Sequence, residues 1–428
     1  MSQVYVPDPA SVGQHMADAA AELARRGHRV VVLTSARGYD DPSVKYPARE
    51  TLNGVEVRRL PLSSFGKKSI PVRLAGQSIF LAQVIVRALL MPRLDGIVVS
   101  TSPPMCSIAA LVVSWVRGAP ITYWAMDLNP DQVVALGKVR EGSLAVRAFE
   151  WLNRRILSRA RAIVALDRFM KDRLVRKLPR AEGRIAVMPP WPLEDYELVP
   201  HERNTFRAVH NLGGPLESGG KFVVMYSGNH GPTNPIETLL EAAVRLKDDK
   251  RFVFMFVGGG IGKKEVERVM KEHPDASIVS LPYQPMSELK YSLGAADVHL
   301  VTVGNEAVGI VHPCKVYGAM AVARPVLLLG PRPCHVSEIL ERFDIGWHVE
   351  HGDVDGAVRV LKQIIETPRE ELEAKGRRAR DAVSAELSKG ALCGRFCDIV
   401  EGTLTRGAGA EPATASTPGP VAQTRTVN

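Results

Sequence analysis

The chain has little cysteine: five residues in 428, at positions 106, 314, 334, 393 and 397. They are too few and too scattered for a disulfide framework, and Cys393 and Cys397 lack a second pair at zinc spacing. Reduced thiols and no metal site are therefore expected. Long apolar runs are missing as well. The two longest, residues 79–91 (interrupted by Gln83 and Arg87) and 105–116, fall short of the ~20 residues a membrane span needs. The opening MSQVYVPDPAS has neither the charged nor the apolar region of a signal peptide, so a cytoplasmic location is expected. A GxSxG elbow is absent, which argues against an α/β-hydrolase. No helix-turn-helix, zinc-finger or RNP-like signature supports nucleic acid as a partner. The GGGIGKK of residues 258–264 lacks the glycine spacing and the Ser or Thr of a P-loop, and reads as a tight strand-to-helix turn.

What is present is ordinary globular composition, 45% hydrophobic and 24% charged, with a net charge of +9. That charge is uneven. Residues 138–184 are rich in Arg and Lys, among them Arg147, Arg154, Arg155, Arg168 and Arg173, and Lys67, Lys68 and Arg73 precede the apolar run at 79–91. Such surfaces meet anionic lipid or phosphate-bearing substrates; solvated helix faces are the plainer alternative.

Length favours two domains. Residues 28–34, 55–60, 96–100, 121–125 and 162–165 are short buried runs of the parallel-sheet kind, interleaved with helical spacing such as Met16, Ala20, Leu23. The proline-rich MPPWP at 188–192 breaks the pattern as a linker. It then restarts with strands at 222–226, 252–257, 276–281, 298–303 and 326–329, and helices at 354–365 and 369–385. The expected division is residues 1–190, 191–403 with final helices packing back on the first domain, and a tail at 404–428 of disordered composition. Ligands of such folds sit at strand ends, here in a cleft between domains. The first strand, barely four residues long, is short for its type, and further residues upstream are expected.

Residues 304–326, GNEAVGIVHPCKVYGAMAVARPV, carry the densest chemistry. His312, Cys314, Lys315 and Tyr317 stand just before a helical pattern and a buried strand. A helix start with a lysine reads as an anion site. Cys314 reads as packing. His312, Tyr317, His230 and Asp127 each have a structural alternative, Asp127 as the cap of its Asp-Leu-Asn-Pro turn.

These segments carry a resemblance. VMYSGNHGPTNPIETLLEAA, LPYQPMSELKYSLGAADVHLV and GIVHPCKVYGAMAVARPVLLLGP resemble the donor domain of GT-B glycosyltransferases of the retaining family 4 type, bacterial exopolysaccharide (colanic-acid) branch. ARRGHRVVVLT, SPPMCSIAALVVSW, MDLNPD and RAIVALDRFMKDRL resemble its N-terminal half. The resemblance implies an α/β fold of two Rossmann-like domains and a nucleotide-sugar donor, used without metal or cofactor. A lipid-linked glycan acceptor and an anionic membrane surface on the inner face of the plasma membrane complete the expectation. It implies amides of a loop at Gly13 and of Ser227, Gly228, Asn229, His230 and Gly231 on the phosphates, and Tyr283 beside the base. Lys315 falls on the diphosphate, and Glu306, Gly309 and Ile310 fall along the sugar, with Asp127, Lys315 and Glu306 as the catalytic set. The chain departs from the family where the E-x7-E glutamates give way to Ile310 and Gly318. Asn229 and Asn234 replace the Arg and Lys of the glycine turn, and Met126 replaces the His before Asp127. His312 or Tyr317 would then replace lost ribose contacts. A sugar-nucleotide epimerase and a non-catalytic nucleotide-sugar-binding protein are the alternative readings.

Overall fold

The computed structural model describes residues 1–8, 10–38, 43–61, 63, 70–192 and 196–405. Lys67, Lys68 and residues 406–428 lie outside that set, as do the side chains of residues 70, 71, 73 and 74. Two parallel-sheet α/β units follow one another. In the first, β1 (Val31–Ser35), β2 (Arg49–Leu52) and β3 (Val55–Leu60) form a sheet of order β1-β3-β2. The strands β4 (Ile97–Ser100), β5 (Ile121–Ala125), β6 (Ala162–Ala165) and β7 (Ile185–Val187) form a second in sequence order. The expected first strand is not a regular strand. Residues 1–3 instead tie the two sheets together: Ser2 N donates to Leu33 O at 3.3 Å and Gln3 N to Ser102 O at 2.9 Å.

Helices α1 (Ser11–Arg25), α2 (Ile70–Leu89), α3 (Cys106–Arg117), α4 (Asp131–Ala135), α5 (Leu144–Arg159) and α6 (Arg168–Lys177) accompany these sheets. The apolar face of α1 follows the expected spacing, with Met16, Ala20 and Leu23 buried. Helix α6 starts where Asp167 accepts a hydrogen bond from Met170 N at 2.7 Å, which satisfies an otherwise orphaned donor.

The second unit has six parallel strands in the order β10-β9-β8-β11-β12-β13. They are β8 (Phe222–Ser227), β9 (Phe252–Val257), β10 (Ile278–Leu281), β11 (Val298–Thr302), β12 (Val326–Leu329) and β13 (Gly346–Val349). Its helices are α7 (Thr205–Val209), α8 (Glu237–Arg245), α9 (Lys263–Glu272), α10 (Leu289–Gly294), α11 (Lys315–Ala321), α12 (His335–Phe343), α13 (Val354–Ile365) and α14 (Arg369–Glu386). The last helix, α15 (Lys389–Thr405), returns to the first unit. Phe396 packs on Trp124 with ring centroids 4.1 Å apart, and Trp191 from the proline-rich linker joins them while donating to Asp18 Oδ2 at 2.9 Å. Aromatic stacking of this kind adds to burial, so linker and final helix fasten the two units together.

Candidate active site between the two sheets

The chemically distinctive residues follow the C-terminal ends of parallel strands, the place where open α/β sheets put ligands. Asp127 follows β5 and Asp167 follows β6; from the other unit, Gly228 follows β8, Tyr283 follows β10 and the segment to Lys315 follows β11. The units meet here. Leu128 N donates to Ile310 O at 2.9 Å and Arg173 Nε to Val308 O at 2.8 Å. Gly309 has φ +71°, and a Cβ there would stand 2.6 Å from the Phe169 carbonyl carbon. Only glycine permits both the backbone conformation and the approach.

Lys315, the first residue of α11, is half-buried. Its Nζ sits 5.0 Å from the centroid of the Tyr226 ring, a contact that stabilises a cation on an aromatic face. Burial pushes its pKa down to about 8, with the neighbouring Cys314 opposing weakly. No carboxylate pairs with it among the described residues. Gly228, φ +130°, makes room for it: a Cβ there would lie 2.7 Å from Lys315 Cε. Since α11 is only seven residues long, the ammonium itself, more than the helix, makes the positive end of the site.

The loop at residues 228–231 is only partly open. Gly228 N donates to Val257 O and His230 N to Gly259 O, while Asn229 O accepts from Tyr226 Oη at 2.7 Å. Ser227 is paired within the sheet. The amides of Asn229 and Gly231 remain for an incoming ligand. His230 is buried and lowered to about 4 by that burial. The glycines at 258–260 form the expected strand-to-helix turn against this loop, with Gly258 approaching Gly228 O. Tyr283 is exposed and lies against Gly259.

Asp127 is the acid of the opposite wall. Burial raises its carboxyl to about 6, opposed by His312. It does not cap α4, whose start has no side-chain hydrogen bond. Cys314 is held as a thiol, pushed up to about 12 by burial, in keeping with packing. Glu306 is exposed on the turn Asn305–Ala307, with Arg173 a charged neighbour.

Three expectations are corrected. Gly13 lies inside the first turn of α1 and its N–H donates to Ala10 O at 2.9 Å, so no free loop amide exists there. Ile310 is 2% exposed and its side chain is part of the core of the N-terminal unit, so it holds the units together instead of lining a sugar pocket. His312 and Tyr317 are not free for a ribose. His312 Nδ1 bonds Asp167 Oδ2 at 2.8 Å, His312 Nε2 bonds Tyr317 Oη at 2.8 Å, and Tyr317 Oη bonds His335 Nε2 at 2.7 Å.

This relay contains two residues that the sequence reading missed, Asp167 and His335. Burial alone would raise Asp167, but the hydrogen bond and charge of His312, with that of His335, leave its pKa below the usual value. An ionised carboxylate only accepts, so Nδ1 of His312 carries the hydrogen. Its neutral Nε2 accepts from Tyr317, whose oxygen accepts from Nε2–H of His335. Asp167, His312 and His335 bring possible ligand atoms within 4.8 Å of one another, yet the atoms named here are already engaged in hydrogen bonds. His335 is lowered to about 3, by burial first and then by His312. The unfolded chain therefore binds a proton near 6.5 that the folded one refuses. Stability should be complete above that value and fall as the pH drops toward 3. Urea midpoints at about pH 7 and about pH 5 check this; equal midpoints would contradict it.

Comparison with known proteins agrees with this geometry. Residues 11–191 match the family described as "Glycosyl transferase 4-like domain" and residues 213–382 match "Glycosyl transferases group 1". The chain is 26% identical over 275 residues to the probable glycosyltransferase WbjE of Pseudomonas aeruginosa, covering 64% of this chain and 66% of that one. It is 24% identical over 417 residues to the putative colanic acid biosynthesis glycosyl transferase WcaI of Escherichia coli K12, covering 93% and 98%. Among solved structures, Anabaena HepE in complex with UDP-glucose superposes with a TM-score of 0.68 at 14% identity, covering 93% and 98%. WaaG, a glycosyltransferase involved in lipopolysaccharide biosynthesis, gives 0.65 at 17% identity with the same coverage.

Proposed function

This chain belongs to the GT-B glycosyltransferases of family 4 type, and we propose that it moves a sugar, with retention, from a nucleoside-diphosphate donor to a lipid-linked saccharide in exopolysaccharide or cell-envelope assembly. The observation that carries this reading is Lys315: an ammonium without a carboxylate partner, against a glycine loop, at the strand ends between two α/β units. As the bond from the anomeric carbon to the diphosphate breaks, negative charge gathers on the leaving oxygen. A preorganised cation and two free amides offset it there. Asp127, ionised above about 6, is suited to receive the acceptor's proton. Glu306 is retained on the donor side by resemblance. HepE is crystallised with UDP-glucose, which supports a nucleotide-sugar donor, and the name of WcaI supports exopolysaccharide as the product class.

Among the described residues no helix is long and apolar enough to cross a membrane. The neighbouring helices α2, α3 and α5 nevertheless expose Leu90, Trp115, Leu144 and Trp151, with Trp115 at 82% and Leu144 at 81%. Arg155 stacks on Trp151 at 5.1 Å, and Arg147 and Arg154 are exposed on the same helix. Apolar anchors beside cations suit an anionic membrane surface, which brings the enzyme to its lipid acceptor. The double variant Trp115→Ser/Trp151→Ser should leave anionic vesicles on co-sedimentation; undiminished binding would contradict this face.

The function itself is tested by incubating the protein with a panel of nucleotide sugars, with and without bacterial lipid extract. Lipid-dependent transfer is expected. Sugar interconversion without lipid would replace this reading with an epimerase, and binding without turnover with a non-catalytic protein.

A further inference from the structure

A second cavity, of about 400 Å³, lies far from the cleft in the sense of the sheet. It is built at the opposite ends of the strands: Phe222 opens β8, Asp297 immediately precedes β11 and Pro325 precedes β12. Linker residues 198–201 and the first turns of α14 supply the other walls. Its size falls in the range of small-molecule sites, ~300–1,000 Å³.

The walls are of two kinds. Leu198, Leu216, Val322, Ile365 and Leu372 make it apolar on one side. On the other stand His201 and Arg324, each with a buried nitrogen that has no hydrogen-bond partner, Nε2 of His201 and Nε of Arg324. His201 is buried. Unmatched buried polar atoms are uncommon in native structures and call for an explanation.

The acids nearby are committed elsewhere. Asp297 Oδ2 accepts from Arg207 Nη1 at 3.2 Å and from Val223 N at 2.8 Å. Glu373 pairs with Arg369 at 2.7 Å and faces Arg377 at 3.6 Å. Arg324 donates Nη2 to Gly294 O at 2.8 Å, and among the described residues it forms no ion pair. His201 Nδ1 lies 3.6 Å from Asp297 Oδ1. A carboxylate cannot donate, so the ring hydrogen sits on Nδ1 and Nε2 presents a lone pair.

The cavity therefore offers an unused cationic N–H, an unused lone pair and an apolar body. We propose that it is a binding site for a small organic anion that carries an anionic oxygen beside an O–H, the chemistry shared by a phosphate monoester and a 2-hydroxy acid. The anionic oxygen accepts from Arg324 Nε–H and the O–H donates to His201 Nε2. The site is separate from the donor cleft but mechanically joined to it. Val322 and Arg324 follow directly from α11, whose other end bears Lys315. Helix α14 is seated on that turn, with Gly376 so close to Ala323 O that a Cβ would stand 2.1 Å away. The inference does not rest on the transfer reaction, and its failure would leave that reading untouched.

Calorimetric titration of the full chain with hexyl phosphate, 2-hydroxyhexanoate and the uncharged hexanol tests it. One-to-one binding of at least one of the two anions is expected, and the two arms tell which is preferred. Hexanol should not bind. Arg324→Met should weaken the anion by about tenfold or more. Leu216→Trp fills the cavity from its apolar wall without touching the polar pair and should abolish binding, which keeps the test decisive if the Arg324 variant does not fold. A nucleoside diphosphate should not displace the anion. No binding of either anion, equal binding of hexanol, undiminished binding in Leu216→Trp, or displacement by the nucleotide would each overturn the proposal.

Discussion

Replacing Lys315 with methionine is expected to lower sugar transfer by about 100- to 1,000-fold, the loss typical when one preorganised charge-stabilising group is removed. The same change should raise the melting temperature of the unliganded protein. Both effects come from one fact: the ammonium is withdrawn from water with no carboxylate to answer it, only the Tyr226 ring at 5.0 Å. A desolvated, unpaired charge is unfavourable in the empty protein and valuable once a diphosphate enters. The pH dependence follows with a definite sign. The folded lysine titrates near 8 and the unfolded one near 10.5, so the unfolded state holds the extra proton between those values. The empty wild-type protein should therefore gain stability as pH rises through that window, and the methionine variant should not. Steady-state rates with the active nucleotide sugar and thermal melts at both ends of the window check the pair of effects. A variant that melts lower and transfers normally would place Lys315 in a structural role.

The second large effect is on stability. Asp167→Ala should destabilise the chain by about 3–5 kcal/mol, as expected when one partner of a buried, charge-assisted network is deleted. Asp167 does two jobs: it caps α6 through Met170 N and holds His312 from the other unit. Without it the Nδ1–H of His312 faces no acceptor, in a pocket closed by Tyr317 and His335. Asp167→Asn should be far milder. Its oxygen keeps the cap, and its amide donates to His312 once the ring hydrogen moves to Nε2, which reverses every bond of the relay without moving an atom far. Urea unfolding of the two variants distinguishes these outcomes. Equal losses for Asn and Ala would mean that the negative charge, not the chain of hydrogen bonds, holds the units together.

The strands that the sequence reveals are those buried on both faces. β5 (ITYWA) and β9 (FVFMFV) are wholly apolar or aromatic in the middle of their sheets and fully buried. The missed strands have reasons. Half-exposed β2 (RETL) pairs antiparallel at a sheet edge, and half-exposed β13 (GWHV) is an edge strand whose glycine lies against β12. The cleft was legible because Gly228 and Lys315 stand at strand ends or helix starts. The relay was not, because its members are 145 and 18 residues apart and each alone reads as packing. One local signal existed for Asp167: it ends a buried strand and caps the next helix, the position at which this architecture places its chemistry. Ile310 was assigned to the sugar by alignment with a missing glutamate, but an isoleucine there belongs by its own chemistry to the nearest apolar core, and that core is on the far side of the cleft.

Equilibrium binding of nucleoside diphosphates to the wild-type protein and to Lys315→Met tests the central assignment most directly. The account predicts that at least one of UDP, GDP and ADP binds the wild-type protein at neutral pH and binds the variant at least about tenfold more weakly, the loss of a charge-assisted contact to phosphate. Equal affinity of the two proteins for that nucleotide, or no binding of any of the three to the wild type, would contradict it.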